Sequence, residues 1–260
     1  MFQVRAPQIE PGFGPGACVG YRPLQSDRHF TVFVDPGHGG YDTGTFGSTT
    51  SGAIVNESTA TLGVGLDLLG ALRQAGFTVV LSRTADTSVV ALGPSQGGVL
   101  SPDQQHRDLE ARVACANAAQ AGLLVSIHMN GYSDRSVGGA ETIYCAARDF
   151  APASLRLARL VQSSIAASAA VPDRGVLDDA GQGAPTPGAP PDYGHLHLLG
   201  PAYPGWNPTP TSMPGVVVEP LFLTDPREAN IAASPDGQTA LARALAAAIA
   251  AYAESAAPGP

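Results

Sequence analysis

The chain has 260 residues, enough to bury a sizeable core, and its composition of 44% hydrophobic and 14% charged residues is typical of a globular protein. Its formal net charge is −8 and its arginines form no cluster, so we expect no nucleic-acid partner. No apolar run reaches the roughly 18 residues that span a bilayer, and the first residues lack the apolar stretch of an intact signal peptide.

The pattern of apolar residues divides the chain into a leader and one domain. Residues 1–29 are rich in proline and glycine and predict an extended leader ahead of a domain at 30–255. Short apolar runs predict buried strands at 31–35, 77–81, 123–127, 140–144 and 216–219. Helical spacing predicts helices at 57–75, with Leu62, Leu66, Leu69 and Leu72 on the core face, and at 103–119, 152–170 and from 236 onward. This alternation predicts a single α/β domain whose mostly parallel, twisted sheet has helices on both faces.

Residues 178–214 form a proline- and glycine-rich insertion with at most one short strand, near 197–199. Such a segment buries little apolar area, so we expect a flexible surface wall beside the end of the last strand, outside the core. His195 and His197 would share one face of a strand. They are interpreted as a substrate-contacting or surface pair, with a second metal site as the less favoured alternative. The side chains expected to contact a ligand here are Tyr193, His195, His197, Tyr203 and Trp206.

The chain contains three cysteines, Cys18, Cys115 and Cys145, so at least one of them is unpaired within the chain. Their spacing resembles no zinc knuckle. We favour the interpretation that they are small buried side chains. One disulfide in an exported protein is the alternative.

Polar side chains follow the predicted strands at the points where these strands end. His38 follows the first strand, His128 the third, and Glu219 ends the last, while Glu57 opens the first helix. Ligands of an open α/β sheet bind beyond the carboxyl ends of its strands. Two histidines and a carboxylate form a zinc site with a fourth position for water, whose pKa the metal lowers to about 7. Glu219, partly buried, is then placed to shuttle a proton.

Each of these residues alone has an ordinary structural explanation, and only their combination indicates a metal-dependent hydrolase. The loop around His38 is too short for a phosphate-binding loop and has no lysine, which argues against nucleotide binding. Asp35 and Asp42 flank this loop and are expected to orient His38. Asn130 is expected to do the same or to contact substrate. His29 and His106 are interpreted as solvated loop residues.

Five segments resemble the zinc-dependent N-acetylmuramoyl-L-alanine amidases of the amidase 3 type, in the same order along residues 31–252. They are VFVDPGHGGYDTG, NES, AGFTVVLSRTAD, RVACANAAQAGLLVSIHMN and MPGVVVEPLFLTDPREA. The resemblance implies one zinc ion bound by His38, Glu57 and His128, with Glu219 as the catalytic residue. It also implies hydrolysis of the amide between N-acetylmuramic acid and L-alanine in peptidoglycan, by zinc-activated water with Glu219 as general base and acid.

One departure from the family pattern lies beside the proposed catalytic residue. The family reads E-x-GF at this position, whereas Glu219 is followed by Pro220, which removes a backbone donor and stiffens the chain. Two alternatives therefore stay open: another zinc peptidase or deacetylase, and a non-catalytic relative that binds peptidoglycan fragments. We expect a monomer in the cell envelope or secreted, with a phage lysin as an alternative source.

Overall fold

The computed structural model describes residues 1–4, 12–92, 99–180 and 188–256. The strands are β1 (Phe2–Gln3), β2 (Ala17–Tyr21), β3 (Thr31–Pro36), β4 (Phe46–Ser48), β5 (Ile54–Asn56), β6 (Thr78–Arg83), β7 (Leu123–Ile127), β8 (Ala140–Tyr144), β9 (Asp173–Asp178) and β10 (Gly215–Glu219). The helices are α1 (Glu57–Gln74), α2 (Pro102–Ala118), α3 (Ala151–Ala169), α4 (Pro226–Ala233) and α5 (Pro235–Ala256).

Eight of these strands form one sheet in the order β1-β2-β6-β3-β7-β10-β8-β9, and β4 and β5 form a separate hairpin. The four central strands, β6, β3, β7 and β10, are mutually parallel. β8 runs antiparallel to β10, and β9 runs parallel to β8. The carboxyl ends of the central strands therefore share one edge of the sheet, while those of β8 and β9 lie at the opposite edge.

Both faces of the sheet are covered because side chains alternate along each strand. Val32 and Val34 of β3 belong to a core cluster with α1, α3 and α5. Phe33, between them, belongs to a second cluster with α2 on the other face. The predicted single α/β domain with a mostly parallel sheet is thus confirmed. Within the described ranges, no helix combines the length and apolar character needed to cross a bilayer.

The first predicted helix begins at Glu57 as expected, and Leu69 and Leu72 of its predicted core face are buried, but the buried face is wider than predicted. Leu66 is 40% exposed, whereas Val64 and Leu68 are fully buried. The helix packs against both α5 and the sheet, so a wider side is buried than a single stripe of leucines defines. Gly76 has φ +88° and follows the helix end, as its left-handed preference predicts.

The predicted leader contains a strand of the main sheet, which corrects that expectation. β2 pairs antiparallel with β6, and Cys18 within it forms a disulfide with Cys115 of α2. The favoured interpretation of three small buried thiols is therefore wrong for this pair, while Cys145 is a buried free cysteine. β2 gains its stability from pairing with β6 and from burial on both sides, neither of which a five-residue run in a proline-rich context reveals. The boundary at residue 30 stays a prediction.

The proline- and glycine-rich insertion contributes to the core, contrary to the expectation. Residues 181–187 lie outside the described residues, but Leu198, Leu199 and Met213 belong to the same core cluster as α2. The expected strand at 197–199 is a turn instead, because the Leu196 carbonyl accepts bonds from the Leu199 and Gly200 amides. The turn directs its leucines onto the sheet, so a few well-placed apolar side chains anchor an otherwise irregular segment.

Candidate metal centre

The loop that follows β3 is held by two buried arginines. Arg83 donates from Nε to the Pro36 carbonyl at 2.9 Å and from Nη2 to the Gly37 carbonyl at 2.8 Å. Arg112 donates to the Pro36 carbonyl at 2.9 Å and to the His38 carbonyl at 2.6 Å. Three consecutive carbonyl groups are thereby fixed, and His38 takes a left-handed conformation with φ +60°. Burial and the neighbouring Arg112 lower the pKa of Arg83 to about 10.

Asp42 contacts His38 directly, whereas Asp35 acts through Arg112. Asp42 Oδ2 lies 2.9 Å from His38 Nδ1, as expected for a residue that orients the imidazole. Asp35 instead accepts from Arg112 Nη1 at 2.7 Å and from Ser126 Oγ at 2.7 Å. Burial opposes ionisation of Asp35, but the Arg112 charge prevails and holds its pKa below the usual value. Asp35 therefore stabilises the arginine that supports the loop.

Donor atoms of His38, Glu57 and His128 converge at the edge where the central strands end. Glu57 Oε1 lies 3.0 Å from His38 Nε2 and 2.9 Å from His128 Nδ1. The two imidazole nitrogens are 3.1 Å apart. These three residues come from the ends of β3 and β7 and from the first turn of α1. The structure thus brings together the three side chains that the sequence indicates as metal ligands.

Two backbone amides fix the carboxylate of Glu57. Its Oε1 accepts from the Met129 amide at 2.9 Å, and its Oε2 accepts from the Thr45 amide at 2.8 Å. Burial opposes the charge of Glu57, but the neighbouring His38 and His128 lower its pKa. Burial likewise opposes the charge of His38, yet the nearby carboxylates raise its pKa to about 10. Glu57 and His38 thus stabilise each other's charged form.

This donor set fits a zinc ion. In a tetrahedral site with zinc–ligand bonds of about 2.0–2.1 Å, neighbouring ligand atoms are about 3.3–3.4 Å apart. The observed separations of 2.9–3.1 Å require only small movements to match. Gly37 and Gly44 leave room for the side chains of His128 and Glu57. A Cβ on Gly37 would lie 2.4 Å from His128 Nε2, and a Cβ on Gly44 would lie 2.4 Å from Glu57 Oε2. Neither position accepts a side chain without displacing a ligand.

Glu219 ends β10 and lines the same cavity, of about 490 Å³, as His38 and His128. The residue is half-buried, and its Oε2 is buried without a hydrogen-bond partner among the described residues. Burial together with the charges of Glu57 and Glu141 raises the pKa of Glu219 well above its usual value. A carboxylate with a raised pKa and a free oxygen is suited to accept and release a proton.

Glu141 is a further acidic residue of the cavity, and no expectation from the sequence included it. It lies opposite Glu219 in the antiparallel pairing of β8 with β10. Its Oε1 accepts from Asn130 Nδ2 at 2.6 Å, and its Oε2 accepts from Arg174 Nε at 2.9 Å. The sequence signal for Glu141 was an acidic residue within an apolar strand. That signal indicates a cavity residue only once β8 is known to lie beside β10.

The departure at Pro220 leaves the pairing with β7 intact. The carbonyls of Val218 and Leu221, on either side, accept from the His128 amide at 2.9 Å and from the Asn130 amide at 2.8 Å. The missing amide hydrogen of Pro220 is not needed for these bonds. Glu219 therefore stays at the end of a regular strand.

Four aromatic side chains, three from the proline- and glycine-rich insertion and one from α2, correct two expectations. His106 lies in α2, not in a solvated loop, and its ring stacks on Trp206 with 3.9 Å between centroids. Trp206 is 6% exposed and Tyr193 3% exposed, so neither forms an open sugar-binding surface. His197 is 3% exposed, lines the cavity, and has no hydrogen-bond partner for either ring nitrogen among the described residues. Burial and the charge of His106 lower the pKa of His197 to about 3.

Comparisons with known proteins identify the family of this chain. The family model of Amidase_3, N-acetylmuramoyl-L-alanine amidase, matches residues 32–251. The chain belongs to the N-acetylmuramoyl-L-alanine amidase family. The resemblance seen in the sequence is thereby confirmed, and the matched range contains every residue of the site described above.

Relatives in this amidase family include LytC of Bacillus subtilis strain 168, which is 34% identical over 200 residues, covering 77% of this chain and 31% of LytC. The germination-specific amidase of the same strain is 30% identical over 113 residues, covering 44% of each protein. The chain therefore spans less than half of the length of these two relatives. The crystal structure of an amidase from Clostridium difficile 630 has a TM-score of 0.63 at 29% identity, covering 88% of this chain and 98% of that one. AmiC2 of Nostoc punctiforme has a TM-score of 0.64 at 25% identity, covering 88% and 99%.

Proposed function

We propose that the chain hydrolyses the amide bond between N-acetylmuramic acid and L-alanine in peptidoglycan, using one zinc ion bound by His38, Glu57 and His128. The observation that carries this proposal is the convergence of three donor atoms within 3.1 Å of one another, beside Glu219, in a chain of the amidase family. When bound, zinc polarises a carbonyl oxygen and lowers the pKa of water to about 7.

The protein's own side chains hold the geometry and move the proton. Asp42 orients the imidazole of His38, and the amides on Glu57 fix its carboxylate before substrate arrives. Glu219 takes a proton from the attacking water and then gives it to the L-alanine nitrogen as the amide bond breaks. Its raised pKa supports both halves of that transfer, because the group is then neither too weak a base nor too weak an acid.

The cavity beside Glu219 has a size and lining suited to part of a muropeptide. Leu109, Ile143 and Leu198 line its apolar side, and Asn130 and Glu141 are among its polar groups.

The disulfide between Cys18 and Cys115 indicates that the protein works in an oxidising environment, because disulfides are rare in the cytosol. We infer a monomer acting in the cell envelope or outside the cell.

Digestion of purified peptidoglycan, followed by mass spectrometry of the products, tests this function. The expected products are peptides with a free L-alanine amine and glycan strands that keep the lactyl carboxylate. Release of acetate would identify a deacetylase, and cleavage within the stem would identify a peptidase. Binding of peptidoglycan without any cleavage, by zinc-loaded protein, would instead support the non-catalytic alternative.

A further inference from the structure

A second cluster of metal-ligand side chains lies at the opposite edge of the sheet from the catalytic site. Cys145 follows the end of β8, and Asp179 follows the end of β9. Both strands run opposite to β10, so these two residues lie at the far edge from Glu219. His195, in the irregular segment, completes the cluster.

The donor atoms of this cluster all lie within 4.8 Å of one another. His195 Nδ1 lies 2.9 Å from Asp179 Oδ1 and 3.7 Å from Cys145 Sγ. In a tetrahedral zinc site, with bonds of about 2.3 Å to sulfur and 2.0 Å to nitrogen, these two ligand atoms are about 3.5 Å apart. Cys145 and Asp179 are each 2% exposed, and His195 is half-buried. The cluster is therefore shielded from solvent, as a structural ion site is.

The same geometry argues against a cysteine nucleophile. Both Asp179 and Cys145 approach the same ring atom of His195, Nδ1, so the imidazole cannot pass a proton between them through its two nitrogens.

The buried carboxylate of Asp179 has no arginine partner among the described residues. Its Oδ2 accepts from the Leu196 amide at 3.1 Å, and its Oδ1 lies 2.9 Å from His195 Nδ1. The nearby Arg148 directs its guanidinium to the carbonyls of Leu199 and Gly200, at 3.0 and 2.7 Å. A divalent cation would balance both the carboxylate and a thiolate.

We propose that Cys145, Asp179 and His195 bind a thiophilic divalent cation, zinc above all, as a structural ion distinct from the catalytic one. Binding forms a metal–sulfur bond and releases the thiol proton of Cys145 to solvent, one proton for each ion. The ion joins the ends of β8 and β9 to the irregular segment. His197 and Leu198, two and three residues beyond His195, line the catalytic cavity, so the ion holds that wall in place.

Cobalt substitution tests the site, because a thiolate bound to Co²⁺ gives a charge-transfer band in the near ultraviolet. Cys18 and Cys115 are joined in a disulfide, and the catalytic ligands contain no sulfur, so such a band reports on Cys145 alone. We expect two cobalt ions per chain and the band in the wild type. Cys145→Ser should keep one ion and lose the band.

His38→Ala provides the matched control, since it removes a catalytic ligand and should leave the band unchanged. A wild-type protein that binds one ion and shows no band would overturn the structural site. A band that survives in His38→Ala, together with no detectable hydrolysis by the wild type, would uphold the structural site and contradict the proposed function. Thermal unfolding gives a second measurement: Zn²⁺ should raise the Tm of His38→Ala but not that of His38→Ala combined with Cys145→Ser.

Discussion

Each of the two edges of the sheet carries three side chains that could bind a metal ion, and the two clusters have different surroundings. At the catalytic edge, His38 and His128 are half-buried and line a cavity of about 490 Å³. At the opposite edge, Cys145 and Asp179 are each 2% exposed, His195 is half-buried, and none of the three lines that cavity. A catalytic zinc site keeps a coordination position open to substrate. Both clusters offer three side chains, so access to a cavity, more than the number of ligands, separates the roles that we propose for the two edges.

The largest effect is expected from His38→Ala, which removes one of the three proposed zinc ligands. Amidase activity should become undetectable, and zinc bound at this edge should be lost. Elemental analysis and peptidoglycan digestion measure the two effects. His29→Ala is the matched control, because His29 is an exposed histidine. Retention of the catalytic ion by the His38 variant would contradict the assignment of this edge.

Glu219→Gln separates metal binding from proton transfer at the same edge. The amide has nearly the same shape but cannot carry the proton, so turnover should fall by about 10²–10⁴-fold while zinc stays bound. Initial rates on purified peptidoglycan, with metal analysis of the same sample, measure this. Glu254→Gln, on an exposed ion pair with Arg28, should have normal turnover. Near-normal turnover of the Glu219 variant would show that another residue is the base.

Arg112→Met tests how strongly Arg112 stabilises the loop that carries His38. The change leaves the buried Asp35 and Asp108 carboxylates without their cation, and we expect a loss of about 3–5 kcal/mol in the free energy of unfolding. Urea denaturation measures it. Arg107→Met removes an exposed pair with Asp103 and should cost about 0.5 kcal/mol or less. Equal effects of the two changes would refute the proposed support.

Asp42→Asn has the smallest expected effect, because it weakens a contact to a ligand rather than removing the ligand. Asp42 lies 2.9 Å from His38 Nδ1, and loss of such a partner commonly lowers metal affinity by about 10–100-fold. Competition with a chelator measures the affinity at the catalytic edge, while the cobalt–thiolate band monitors the opposite edge. If the cobalt–thiolate band changed while the zinc affinity of the His38 site stayed unaltered, Asp42 would act on the Cys145 cluster and not on the proposed catalytic site.

Much of the catalytic edge could be predicted from the sequence because its ligands follow regular elements. The strands at 123–127 and 140–144 have the predicted bounds, and Glu57 opens the helix as expected. In a parallel sheet, residues that follow neighbouring strands meet at one edge. The apolar pattern of the strands and this rule of sheet topology were therefore sufficient to predict that His38 and His128 lie close together.

The rest depends on long-range contacts that a local pattern does not contain. β2 forms a strand because its backbone pairs with that of β6. The disulfide partner of Cys18 in β2 is 97 residues away along the chain. Glu141 enters the cavity only because β8 runs antiparallel beside β10. The ring of His106 is shielded from solvent because it stacks on Trp206, which lies in a segment without helical or strand periodicity. In each case the environment is supplied by a distant part of the chain.

The disulfide between Cys18 and Cys115 has a consequence for the order in which the chain matures. Cys115 is three residues beyond Arg112 on the helix that supports the His38 loop, and both cysteines precede His128 and Glu219. A chain that enters an oxidising compartment amino-terminus first can close this covalent loop before His128 and Glu219 arrive. On the chain-entropy view, a closed loop of about 100 residues restricts the unfolded chain by about 4.7 kcal/mol. Recombinant production in a reducing cytoplasm omits that restraint, so we expect export to an oxidising compartment to give the higher yield of active protein.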